Sequence, residues 1–160
     1  MDWLVNKKPP TVGTCTGAVA GLVAITPAAG TVDLLGAFAI GIITPIICFF
    51  MVAVVKARFK YDDALDAFGV HGVGGIVGSV LTGVFATQTI TGEGGVQGSL
   101  YGDWHQLWVQ LIATVFCIVF SAIVTAVLFF LVDKTVGIRV DKRVEEEGLD
   151  IYEHGESAYN

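Results

Sequence analysis

The 160-residue chain is 54% hydrophobic and only 15% charged, with 20 glycines and a mean hydropathy of +0.71, whereas soluble domains carry about 25% charged residues. Nine basic residues against fifteen acidic ones give a formal charge of −6, and no basic stripe is present to meet a phosphate backbone, which excludes nucleic acid as a partner. Cys15, Cys48 and Cys117 stand singly in apolar runs, so neither a CxxC metal site nor a disulfide framework can form, and they read as small core hydrophobes.

Four stretches without Asp, Glu, Lys or Arg set the fold class: residues 9–32, 34–55, 67–92 and 104–132, of 24, 22, 26 and 29 residues. A bilayer core about 30 Å thick takes roughly 20 helical residues, and four such runs in so short a chain leave no amphipathic layer to cover a soluble core. The chain is predicted to be an all-α polytopic membrane protein. Its transmembrane helices are expected over about 11–29, 34–55, 63–86 and 105–132. Residues 1–136 then form a transmembrane domain and residues 137–160 a cytoplasmic tail.

The first helix carries Gly13, Gly17 and Gly21 at four-residue spacing, with Ala20, Ala24 and Ala28 as a second row. Small-residue ridges of this kind let backbones touch, so Gly13, Gly17 and Gly21 are assigned to helix packing. Lys7 and Lys8, the apolar stretch 18–25 and the small Ala28 and Ala29 loosely imitate a signal peptide, but Pro9, Pro10 and the Thr and Gly residues of 11–17 dilute its apolar region. In the second helix Pro45 removes a backbone hydrogen bond and predicts a bend. Lys56, Arg58 and Lys60 fill the following link. Asp62, Asp63 and Asp66 precede or begin the third helix, where capping and dipole contacts account for them without function.

The third helix is the informative one. At 100° per residue, the side holding His71 also holds Ala64, Ala67, Phe68, Gly74, Gly75, Gly78, Thr82 and Phe85, while Val70, Val73, Ile76, Val77, Val80 and Val84 oppose it. Counted from Asp63, His71 lies about 12 Å along the helix. That depth is inside the hydrocarbon, where ionisable groups are costly and face a protein interior or cavity. Away from carboxylates a neutral ring is favoured, with one N–H donor and one bare nitrogen acceptor. Two readings stay open on the residues alone. The imidazole lines a path for a small hydrogen-bonding molecule, with Phe68, Gly74, Gly75, Gly78 and Thr82 packed on its side, or it is a packed histidine bonding a neighbouring carbonyl.

The loop 87–103 holds Glu93, Asp103 and five glycines but no base. The fourth helix lacks glycine and outreaches a perpendicular crossing, which suits a tilted brace facing lipid. All nine basic residues fall before helix one, between helices two and three, and after helix four. The positive-inside rule therefore puts both termini in the cytoplasm and Tyr101, Trp104 and Trp108 at the outer interface. The acidic tail reads as a solvated end, although Leu149, Ile151, Tyr152 and Tyr159 supply apolar anchors for docking on the cytoplasmic face. Gly72, Gly74 and Gly78 lack the preceding strand and the acid that a dinucleotide site requires. No Walker lysine is present, and His71 and His105 differ too much in depth to share a haem. No cofactor, metal or catalytic residue is expected.

Residues 62–86, DDALDAFGVHGVGGIVGSVLTGVFA, resemble the signature of the ammonium transporter family. Residues 17–30, GAVAGLVAITPAAG, resemble an earlier helix of the same proteins, and residues 145–160, EEEGLDIYEHGESAYN, resemble their cytoplasmic tail. The three matches occur in the family's order and imply its C-terminal part, helices eight to eleven of the usual eleven. The resemblance implies ammonium or ammonia as substrate and no enzymatic activity. His71 would be the second of the family's twin pore histidines, past which ammonia moves after ammonium is deprotonated outside. The twin histidine, the aromatic recruitment site, the phenylalanine gate and the deep aspartate belong to other segments, so conduction by this chain alone is not expected. It further implies a homotrimer surrounded by lipid in the cell membrane, the bacterial inner or plasma membrane. The regulatory tail would comprise Gly148, Leu149, Asp150, His154 and Gly155 and be reached by a PII-type signalling protein. The alternative is a non-conducting membrane module that assembles with a complementary chain.

Overall fold

The computed structural model describes residues 7, 8 and 10–157; residues 1–6, Pro9 and residues 158–160, including Tyr159, lie outside the described residues. The chain divides into two compact units, Met1–Phe116 and Cys117–Asn160. Four apolar helices of membrane-spanning length are present, as expected. Helix α1 is Thr11–Ile25, followed by a 3₁₀ turn Thr26–Ala28. Helix α2, Leu34–Phe50, continues through a π-helical stretch Met51–Lys56 into Ala57–Phe59. Helix α3 opens with a π-helical turn Phe68–Gly72 and runs on as Val73–Phe85. After a short helix α4, Gln88–Thr91, and a 3₁₀ turn Ser99–Tyr101 comes α5, Trp104–Thr135. Among the described residues no strand forms, and pairing is limited to one isolated bridge between Val32 and Ala86.

Two helix boundaries differ from the sequence expectation, the first for an electrostatic reason and the second for a conformational one. Helix α2 runs on to Phe59, so Lys56 and Arg58 lie in its last turns, where cations meet the negative end of the helix dipole. Lys60 then ends it in the left-handed region at φ 53°. Helix α3 begins at Phe68 and not near Asp63, because Asp66 is also left-handed, at φ 55°, and breaks the helical path. The Asp63 carboxylate instead reaches forward and accepts hydrogen bonds from the N–H groups of Phe68 at 3.0 Å and Gly69 at 3.2 Å. His71 consequently sits in the first turn of α3, nearer its start than the 12 Å counted from Asp63.

The first unit is held together where small residues meet. Ala20, Ala24 and Ala28 of α1 and the turn after it are buried, as are Ile40, Thr44 and Cys48 of α2 and Val70, Gly74, Gly78 and Thr82 of α3. A Cβ on Gly78 would overlap the backbone of Ala24, and one on Gly74 would stand 3.4 Å from Val23 Cγ1 and 3.5 Å from Cys48 Sγ. The alanine row of α1 is thus its contact row. In the glycine row, a Cβ on Gly21 would meet α2, 3.7 Å from the Gly41 carbonyl oxygen and 3.9 Å from Pro45 Cγ, whereas one on Gly17 would meet open space. Pro45 offers no N–H to Gly41 and its ring crowds that carbonyl; at Gly21 these distances are ordinary van der Waals contact, so α1 and α2 meet there without overlap.

The far end of this unit is joined by backbone hydrogen bonds. Thr87 N–H donates to Thr31 O, and Gly98 N–H donates to Ala86 O, both at 2.8 Å. Asp33 caps α2 by accepting from Gly36 N–H at 2.8 Å and also accepts from the Tyr101 hydroxyl at 3.3 Å. Partial burial first, and then the Asp33 carboxylate, hold the Tyr101 phenol above its ordinary value, so it remains a donor at neutral pH.

In the second unit, α5 gives way to helix α6, Lys142–Glu147, and a π-helical turn Asp150–His154. Ion pairs Lys142–Glu146 and Arg143–Glu147 at i,i+4 spacing support α6. Gly148 at φ 104° and Gly155 at φ 65° close the two elements in a region that glycine adopts readily. The acidic tail therefore carries helical structure, and Leu149, Ile151 and Tyr152 are exposed on it.

Gly78→Ala is expected to destabilise the helical assembly by about 1–3 kcal/mol through overpacking, while Gly17→Ala stays within about 0.5 kcal/mol. Reversible unfolding in mixed micelles measures both, and equal effects would contradict this packing.

Candidate functional site

His71 leaves the first turn of α3 and is exposed on a groove of about 360 Å³. Thr11, Val12, Cys15, Thr16 and Val19 of α1 form one wall, and Leu65 and Val70 complete the lining beside the imidazole. The ring borders this groove and makes no hydrogen bond to any described residue. A second cleft of about 260 Å³ lies on the other side of the α1 N-terminal half, bounded by Gly13, Gly17, Ala20, Pro45, Cys48, Phe49, Val52 and Ala53, with Asp66 at its edge. Val12, Thr16 and Val70 line both hollows. The walls are largely apolar, and His71 supplies the one imidazole.

The side of α3 expected to surround His71 divides in two. Phe68, edge-on to Tyr61 at 5.9 Å and 90°, is exposed, and Gly75 has open space where a side chain would be. Gly74, Gly78 and Thr82 instead fall on the buried stripe with Val70, and the Thr82 hydroxyl donates to Gly78 O at 2.8 Å. The π turn explains the division. It takes more residues per turn than an α-helix, so a wheel drawn at 100° per residue loses phase between His71 and the glycines beyond it. The cysteines separate too. Cys48 is buried, with its thiol 3.8 Å from Val70 O, whereas Cys15 borders the His71 groove and Cys117 is exposed; these two are not core residues.

At the edge of the second cleft, where Asp66 lies, is a charge cluster that the residue pattern alone does not assemble. The Lys56 ammonium donates to Asp66 Oδ1 at 2.6 Å and to the Asp63 carbonyl, with the Lys56 and Asp66 side chains each 28% exposed. A lysine at the end of one apolar run, facing an acid ten residues later across a short reversal, was the available signal.

In the tail, Gly148 and Gly155 set the turns around Leu149, Asp150 and His154, and Asp150 and His154 border a hollow of about 240 Å³ with Glu156 and Ser157. Among the described residues no group of three or more His, Cys, Asp or Glu side chains is placed to hold a metal ion.

A family model described as the Ammonium Transporter Family matches residues 1–159. An ammonium transporter of Aquifex aeolicus is 52% identical over 159 residues, covering 99% of this chain and 37% of that protein. One of Bacillus subtilis is 46% identical, covering 99% and 39%. A crystal structure of Saccharomyces cerevisiae Mep2 superposes with a TM-score of 0.80 at 34% identity, over 89% of this chain and 33% of that one. A mutant of Candida albicans Mep2 reaches 0.81 at 34% identity, over 99% and 38%. The chain spans 37–39% of the length of the first two curated relatives it matches.

Asp66→Asn keeps a side chain that tolerates the left-handed conformation while removing the charge. It is expected to cost about 1–2 kcal/mol, between an exposed pair and a buried charged hydrogen bond. Lys56→Met is expected to destabilise in the same direction and the double variant by less than the sum, which a double-mutant cycle measures.

Proposed function

The chain belongs to the ammonium transporter family, and from that premise we propose that it contributes one half of an ammonium conduction path, with His71 on the lumen side. The observation that carries this reading is the exposed imidazole, without a hydrogen bond to any described residue, set in an apolar groove inside the 62–86 stretch that resembles the family signature. An apolar passage turns away K⁺ and Na⁺, because stripping water from an ion in a low-dielectric path costs far more than moving a neutral molecule. Ammonium avoids that cost by leaving its proton outside and passing as ammonia. A neutral imidazole can accept from and donate to ammonia without holding it.

The same reading puts both termini in the cytoplasm, since all the basic residues lie at that end of the helices or in the tail. It places residues 137–160 as a regulatory tail of a homotrimer. The exposed Leu149, Ile151 and Tyr152 and the turns at Gly148 and Gly155 support a docking surface for neighbouring subunits and a PII-type signalling protein.

The test joins this chain to the segments that precede the matched region in the Aquifex aeolicus relative, in cells lacking their own ammonium transporters. Uptake of labelled methylammonium is expected, and His71→Ala is expected to lower it by about tenfold, the equivalent of one lost hydrogen bond of roughly 1.4 kcal/mol. Unchanged uptake and selectivity would remove His71 from the path. Stable assembly without any uptake would favour a non-conducting module.

A further inference from the structure

We propose that Lys56 is a positioning residue for His71, acting through Asp63 and Asp66. Its consequence for transport rests on the reading of His71 above; the geometry does not.

The first N–H groups of a helix have no partner within it. In α3 the N–H groups of Phe68 and Gly69 donate to the Asp63 carboxylate at 3.0 and 3.2 Å, and that of Val70 donates to Asp66 O at 2.8 Å. Both acids are gathered by one ammonium, because Lys56 Nζ bonds Asp66 Oδ1 at 2.6 Å and the Asp63 carbonyl. Asp66 N–H closes the loop on Asp63 O at 3.1 Å. The three donors immediately ahead of His71 thus hang on Lys56 through two intermediaries.

Two features make this turn responsive to its support. Phe68–Gly72 is π-helical, a rare form that occurs mostly as single turns inside α-helices and frequently at functional sites. Asp66 is left-handed at φ 55°, a conformation that a non-glycine residue keeps only where its surroundings hold it. The imidazole itself has no hydrogen bond to a described residue, so the backbone of this turn sets the direction in which it points. Lys56 also ends the π-helical stretch of α2, and a Cβ on Gly69 would meet Val52 Cγ2 of that stretch at 2.7 Å, so the two wide turns abut. Without the ammonium, the two aspartates lose their common partner, Asp66 is free to leave the left-handed region, and the turn carrying His71 rotates.

The experiment reads the orientation of position 71 directly. In the joined transporter carrying Cys15→Ser, Cys117→Ser and His71→Cys, the rate at which a methanethiosulfonate reagent modifies position 71 is measured with and without Lys56→Met. A change of about fivefold or more is expected, with Lys56→Arg returning the rate to within about twofold, on the scale at which sub-ångström to ångström displacements alter rates. With His71 present, Lys56→Met is expected to lower maximal methylammonium uptake by about tenfold while leaving its KM nearly unchanged, and Lys56→Arg to restore it. If Lys56→Met does not accumulate in membranes, Asp66→Asn replaces it with the same expectation. An unchanged modification rate in the assembled variant overturns the proposal, whatever happens to uptake. A changed rate with unchanged uptake upholds the positioning role and overturns the transport role of His71 instead.

Discussion

Inside a bilayer, lipid tails are as apolar as leucine, so helices gain little from hiding apolar side chains from one another. What remains is close van der Waals contact, and here it depends on Gly78 of α3 lying against the backbone of Ala24 in α1. The same stripe brings Gly74 to Val23 and Cys48, which draws α2 into the cluster. The far-end link from Thr87 to Thr31 and the first-turn pairing of Asp63, Asp66 and Lys56 both depend on these helices being at backbone distance.

That contact also explains why His71 is available. The buried stripe runs Val70, Gly74, Gly78, Thr82, and His71 is one position off it, beside α1 and not beneath it. Had α3 continued with ordinary α-helical phase from Asp63, the imidazole and the glycines beyond it would share one face and compete for the same contact. The π turn separates the two tasks: packing goes to Gly74 and Gly78, and His71 is left for the groove. A largely apolar groove with one imidazole is the chemistry that the proposed ammonia path requires.

The membrane class, the four helices and the informative stretch around His71 were legible because they rest on long-range composition: uncharged runs of bilayer length and a glycine-rich segment around one histidine. The start of α3 was not, since Asp63 and Asp66 satisfy any reading that wants acids near a helix N-terminus. Only three-dimensional geometry shows that Asp66 turns left-handed and that Asp63 caps from five residues upstream. The split of the set expected around His71 had the same origin, because no residue pattern announces a π turn. Cys15 was misread because a cysteine in an apolar run looks alike whether the run meets protein or a groove. The Lys56 cluster requires knowing that α2 and α3 are joined by a reversal short enough for residues ten apart to touch.

Alanine and glycine have no side-chain rotamers to freeze, so forming the contact between Ala24 and Gly78 costs almost no side-chain entropy. By the same token the seam holds no reservoir of alternative packings, and thermal agitation cannot be absorbed there by rotamer exchange. Rotamer freedom in this unit lies instead with longer side chains, among them those of the wide turns at residues 51–56 and 68–72, the second of which carries the imidazole.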